Sequence, residues 1–281
     1  MALHSAAERI AMHPDLFHIG SLPIKSYGVM LAISFLLGLK LAQRRAKRIG
    51  IEPAKMADLA IVIMIAAIVG SRLFYVLTHI EQYRGHWMDA VAFWNGLYGL
   101  SMLGGVLLAV AAGFVVMMVR RWPPWKLADA VIPSFALGIF ITRIGCYLNG
   151  CCFGMETGSA IGVCFPAESL PAAALGWPHS IHPAQLYLSL AGLYLLLVTL
   201  WADRRPHFPG FTFCLFLTLY GATRFGAEEL RYFDHEPMNI LGYSEIAGRA
   251  GITDNQAISL AMLLGGVLLG MGLLLWHRRR S

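Results

Sequence analysis

Long apolar runs broken by short polar stretches dominate this chain. Runs long enough to cross about 30 Å of hydrocarbon occur at 24–43, 57–77, 100–119, 127–148, 183–201, 210–231 and 256–276. The pattern predicts an all-α polytopic membrane protein of about seven transmembrane helices, forming a single membrane domain over 1–281. Polar residues inside the fourth and sixth runs make their ends the hardest to place. Residues 1–23 read as an N-terminal segment, and 78–99, 150–182 and 232–255 as loops on the same side of the membrane.

Composition agrees with burial in lipid. The 281 residues are 57% hydrophobic and 14% charged, whereas a soluble domain carries about 25% charged residues. The first twenty residues include Glu8, Arg9 and Asp15 and lack the apolar core and small-residue cleavage site of a signal peptide.

The net charge of +6 raises the question of a nucleic-acid partner, and its distribution answers it. Lys40, Arg44, Arg45, Lys47, Arg48, Lys55, Arg120, Arg121, Lys126, Arg204, Arg205, Arg278, Arg279 and Arg280 fall on one side of the expected membrane, fourteen in all. Arg9, Lys25, Arg84, Arg231 and Arg249, five residues, fall on the other. Positive charge is retained in the cytoplasm, so the N-terminus is expected outside and the C-terminus inside. The basic balance is a topology signal and implies no nucleic acid.

Arg72, Arg143 and Arg224 remain, and all lie within apolar runs. An arginine at mid-membrane costs at least about 2.5 kcal/mol and therefore faces a cavity or a partner. Each lies about 14–16 residues along an outward-running span, roughly 21–24 Å from its start, which puts all three in the outer half of the bilayer. Snorkelling or local pairing is the simpler account of each. Arg224 has Glu228 one helical turn away, and Arg231 is also within reach of Glu228. Arg143 and Arg72 have no acidic residue within a turn. A cavity that receives an anion accounts better for the set, because a guanidinium donates two parallel hydrogen bonds to phosphate. The natural anion at that depth is a phospholipid headgroup.

Further polar residues reach the same level. Tyr27 opens the first span, Ser101 the third and Gln185 the fifth; Asn149 closes the fourth, and His182-Pro183 precedes the fifth. Singly they read as an interfacial anchor, a helix cap or a structural hydrogen bond, and together they line a polar site open to the outer leaflet. Gly145, Gly150 and Gly154 surround Asn149 and permit close helix approach. The five cysteines, Cys146, Cys151, Cys152, Cys164 and Cys214, match no strong zinc spacing. They read first as small packing residues, with a disulfide such as one to Cys164, or metal or reactive-thiol chemistry, as alternatives.

At these residues the chain resembles the prolipoprotein diacylglyceryl transferases of the bacterial inner membrane. IGSLPIKSYGVM at 19–30, TRIGCYLNGCCFG at 142–154, HPAQLY at 182–187, YGATRFGAEELR at 220–231 and QAIS at 256–259 are similar, in order, to that family's segments. The resemblance implies a multi-pass enzyme of the bacterial cytoplasmic membrane with its site facing the outer leaflet. Its partners would be phosphatidylglycerol, prolipoprotein signal peptides and membrane lipids. It would move diacylglyceryl from phosphatidylglycerol to a signal-peptide cysteine thiol and release glycerol phosphate. It also implies catalytic roles for Arg143, Arg224, Tyr27 and Asn149. Substrate-binding roles would fall to Arg72, Ser101, Gly145, Gly150, His182, Gln185, Tyr187, Glu228, Arg231, Gln256 and Ser259.

One departure stands out. Where many members carry a His, and some a Tyr, before paired glycines on the third helix, GLYGLSMLGG at 96–105 places Leu103. Leucine cannot move a proton. Tyr98 or His182 would then be the base, or nearby arginines would ionise the substrate thiol, or the chain binds lipid with altered chemistry. A transporter of phospholipid or anionic solutes would use similar arginines, but the chain shows no internal repeat. Without a Walker-type loop or a His-Glu-xx-His pattern, no cofactor and no metal is expected in the reaction.

Overall fold

The computed structural model describes residues 12–20, 22–83, 85, 88, 101–232, 245–246, 249–250 and 252–279. Much of the expected segments 1–23, 78–99 and 232–255 falls outside them, as does Tyr98.

A hairpin of β1 (Asp15–Ile19) and β2 (Leu22–Lys25) leads directly into α1 (Ser26–Arg48). Then follow α2 (Pro53–Thr78), a 3-10 turn (Ile80–Tyr83), α3 (Met102–Val119) and α4 (Pro124–Asn149). A connection carries β3 (Val163–Cys164), the short α5 (Leu170–Leu175) and β4 (Ser180–Ile181). The chain continues through α6 (Ala184–Ala202), α7 (Phe211–Glu228), the pair β5 (Glu245–Ile246) and β6 (Arg249–Ala250), and α8 (Asp254–Arg278). Among the described residues, the seven long helices coincide with the seven apolar runs. Five of them, α1, α2, α4, α6 and α8, are long and apolar enough to cross a membrane, which makes this an all-α polytopic membrane protein.

The helix starts follow local rules. Proline occupies the first turn of α2, where its missing N–H removes no helical bond. Ser101 caps α3 by accepting from Gly104 N. Thr253 and Gln256 cap α8 reciprocally, each side chain accepting from the other's backbone N–H. α7 begins at Gly210 with no side-chain cap of its own. Buried Asp129 of α4 supplies one from a distance: its carboxylate accepts from Gly210 N at 2.6 Å and Phe213 N at 2.9 Å.

The chain divides into two compact units, residues 42–127 and residues 1–41 with 128–281. In the smaller unit α2 and α3 meet backbone to backbone: a Cβ on Gly70 would stand 2.5 Å from Gly104 O. In the larger unit Gly221 of α7 lies as tightly on α8, where a Cβ would meet Ser259 O at 2.4 Å. Small residues permit such approaches, which drive helix association where lipid removes the hydrophobic incentive. The core of the larger unit gathers Ile132, Ala136, Leu195, Leu196 and Phe216. On α6 the buried stripe Ala184, Leu188, Gly192, Leu195, Thr199 and Ala202 has helical spacing, while Leu190, Tyr194, Leu197 and Trp201 point outward. An apolar outer face of this kind suits lipid as the surrounding solvent.

Candidate active site

The site is built in the larger unit, around the end of α4. Ser26 N donates to Pro14 O at 2.8 Å and so ties the start of α1 to the N-terminal hairpin. Tyr27, in the first turn of α1, is then about one-third exposed at 37%. Gly145 lets α1 lie against α4: a Cβ there would meet Met30 Cβ at 2.9 Å and Tyr27 Cα at 3.5 Å. Arg143 lies two residues earlier on α4, partly buried. Among the described residues its guanidinium makes no ion pair and no hydrogen bond.

Asn149 ends α4, and Gly150 turns the chain with φ +71°, a conformation glycine adopts without penalty. Gln185 enters from the first turn of α6. Its side chain is fully buried and Nε2 donates to Cys151 O at 2.9 Å. Its Oε1 has no hydrogen-bond partner among the described residues, and a buried acceptor left so costs about 1–3 kcal/mol.

The segment after Asn149 stitches the remaining motifs together. Gly154 N donates to His182 O at 3.0 Å, and Met155 N to Leu230 O at 3.0 Å. Tyr232 N returns a bond to Phe153 O at 3.1 Å. At Gly154 a Cβ would stand 2.5 Å from His182 O and 2.6 Å from Leu230 O, so this strand fits between its neighbours only without a side chain. His182 Nδ1 lies 3.1 Å from the Tyr187 hydroxyl.

Beyond Leu230 lies the second charged group. Glu228 is buried, and its Oε2 accepts from Arg224 Nη1 and stands 3.5 Å from Arg231 Nη1. Its Oε1 accepts from Asn255 Nδ2 of α8 at 2.8 Å. The pairing expected from the one-turn spacing of Arg224 and Glu228 is therefore present, and Arg231 joins it. Gln256 Nε2 donates to Glu229 Oε1 while Gln256 also closes the α8 cap. Ser259 Oγ donates to Asn255 O at 2.6 Å within its own helix. These bonds tie Gln256 to the cap of α8 and to Glu229 after α7, and Ser259 to the preceding turn of its own helix.

Arg72 and Ser101 belong to the smaller unit. Arg72 places its guanidinium over the Tyr83 ring at 5.7 Å. Ser101 caps α3, and its N–H donates to Ser71 O at 2.9 Å. Leu103, at the position noted in the sequence, is half-exposed on α3 at 55%.

All five cysteines are free thiols. Three of them, Cys146, Cys151 and Cys152, bring their sulfurs within 4.8 Å of one another. Hydrogen bonds from Cys146 and Cys151 hold the Cys152 thiol below the usual thiol range, and the charges of Arg143 and Arg231 act in the same direction. Sequence reasoning missed this cluster as a unit, although the Cys-x4-Cys-Cys spacing across a helix end was its signal. It also missed Asn255, whose partner Glu228 lies 27 residues away and carries no local signature.

The comparisons with known proteins place the sequence among its relatives. The family model described as prolipoprotein diacylglyceryl transferase matches residues 14–272. A phosphatidylglycerol–prolipoprotein diacylglyceryl transferase from Synechococcus elongatus is 36% identical over 78% of this chain and 76% of its own. One from a Nostoc species is 32% identical over 98% of this chain and 93% of its own. A third, from Clostridium perfringens, is 30% identical over 90% and 93%. On the strength of these matches over most of its length, this chain belongs to the prolipoprotein diacylglyceryl transferase family.

Proposed function

We propose that this protein is a phosphatidylglycerol-dependent transferase that moves diacylglyceryl to the thiol of a lipoprotein signal-peptide cysteine. The observation that carries the reading is Arg143, a partly buried cation on an apolar helix that has no carboxylate partner among the described residues. Such a charge is stabilised by an anion from outside the chain, and the phosphate of an anionic phospholipid fits.

The chemistry follows from charge. The peptide sulfur, as thiolate, attacks the glyceryl carbon that bears the phosphate oxygen. A C–S bond forms, the C–O bond breaks, and its electron pair leaves with glycerol phosphate, while the thiol proton passes to solvent. The leaving group gains negative charge, and fixed donors aimed at it lower the barrier, more so where water is scarce. Arg143 and Arg224 take the phosphate oxygens. Glu228 fixes the Arg224 side chain, and Arg231 stands at the rim. Tyr27, Asn149 and Gln185 orient lipid and peptide, and the unsatisfied Oε1 of Gln185 is suited to a substrate hydroxyl. Gly145 and Gly150 let backbone and helices close around them, and the His182–Tyr187 pair forms one wall. The excess of lysine and arginine on the opposite loops supports a site that faces the outer leaflet.

The test is glycerol phosphate release by the purified protein in detergent with phosphatidylglycerol and a synthetic lipoprotein signal peptide. Release that requires both Arg143 and the peptide cysteine, lost in Arg143→Ala and with a cysteine-to-alanine peptide, is the expected result. No release from folded protein that still binds phosphatidylglycerol would overturn the assignment.

A further inference from the structure

We propose that Cys146, Cys151 and Cys152 form a three-thiolate site for one soft d10 cation, copper(I). The site borders the residues assigned to the reaction above, since Gln185 donates to Cys151 O, but the inference does not depend on that reaction.

Geometry comes first. Cys146 sits in the last turn of α4, buried at 5% exposure. The chain then turns through Gly150 at φ +71° and Cys152 at φ +60°, the latter a left-handed conformation that a side chain bearing Cβ adopts only at a cost. The turn brings Cys151 N onto Cys146 O at 3.1 Å, and the three sulfurs lie within 4.8 Å of one another. Sulfurs sharing one ion at about 2.3 Å stand about 4 Å apart. Closing that difference takes side-chain rotations at Cys151 and Cys152, both of which are only partly buried.

The donors are soft. Thiolates select copper(I) and zinc over harder cations. Three thiols among the described residues complete the set for copper(I), whereas zinc would need a water or another group as its fourth ligand. A thioether lies beside the same turn. The Met12 thioether lies against Gly150, where a Cβ would meet Met12 Cε at 2.3 Å and Sδ at 3.1 Å.

The experiment uses the whole chain in detergent, reduced and then freed of reductant under argon. It is titrated with copper(I) against bathocuproine disulfonate, with zinc(II) in a parallel series. One copper(I) per chain is expected to be withdrawn from the competitor. That uptake is expected to vanish in Cys151→Ser and in Cys152→Ser, and to persist in Cys164→Ser. Thermal unfolding of each variant shows that it is folded. Three results would overturn the proposal: no uptake by the folded wild-type chain, uptake that survives both substitutions, or a Cys146 disulfide that resists the reductant. Zinc(II) uptake with no copper(I) uptake would overturn the choice of ion. None of these readouts uses transferase activity.

Discussion

Glu228 of α7 and Asn255 of α8 are joined at 2.8 Å, and the same carboxylate holds Arg224 and faces Arg231. One buried anion thus fixes two arginines and two helices. Removing one partner of a buried ion pair costs about 3–5 kcal/mol, because the other charge is left uncompensated. Glu228→Ala is expected to lower the unfolding temperature in detergent far more than Asn255→Ala, whose hydrogen bond to Glu228 is worth about 1–3 kcal/mol. Equal losses in the two variants would show that the carboxylate is not the counterion.

Asp129 caps α7 from α4 through Gly210 N and Phe213 N. Asp129→Ala orphans two backbone donors, at about 1–3 kcal/mol each. Asp129→Asn keeps one acceptor oxygen and should fall between wild type and alanine in thermal unfolding. An alanine variant as stable as wild type would refute the cap.

Gly154 is pinched between His182 O and Leu230 O. Gly154→Ala forces this strand away from both neighbours and so moves Asn149 and Gln185 relative to Arg224. A displacement of about 1 Å at a site can cost roughly 100-fold in rate. Glycerol phosphate release should fall by about that factor while circular dichroism stays unchanged.

Leu103 is half-exposed and has no group that moves a proton. Leu103→Ala is expected to release glycerol phosphate at a rate close to wild type. A large loss in a folded variant would give Leu103 a part in seating the substrate.

The sequence by itself determined the helices and the family. Seven apolar runs became seven long helices because length and hydropathy decide membrane insertion locally. Caps at Ser101 and Thr253 are likewise local, since the capping side chain and its N–H lie within three residues. The one-turn pairing of Arg224 with Glu228 was legible for the same reason. Tertiary structure alone decided which polar groups are spent and which are left over. Gln256 and Ser259, given substrate-binding roles by the resemblance, also make bonds of their own at the start of α8, Gln256 with Thr253 and Glu229 and Ser259 with Asn255 O. Arg224 pairs with Glu228, whereas Arg143 has no carboxylate partner among the described residues, a contrast that no spacing encodes. Gln185 meets Cys151 O across 34 residues, and three cysteines converge because two left-handed turns fold the chain back on a helix end. Contacts of this kind depend on where distant backbones meet in space, and the order of residues along the chain does not carry that information.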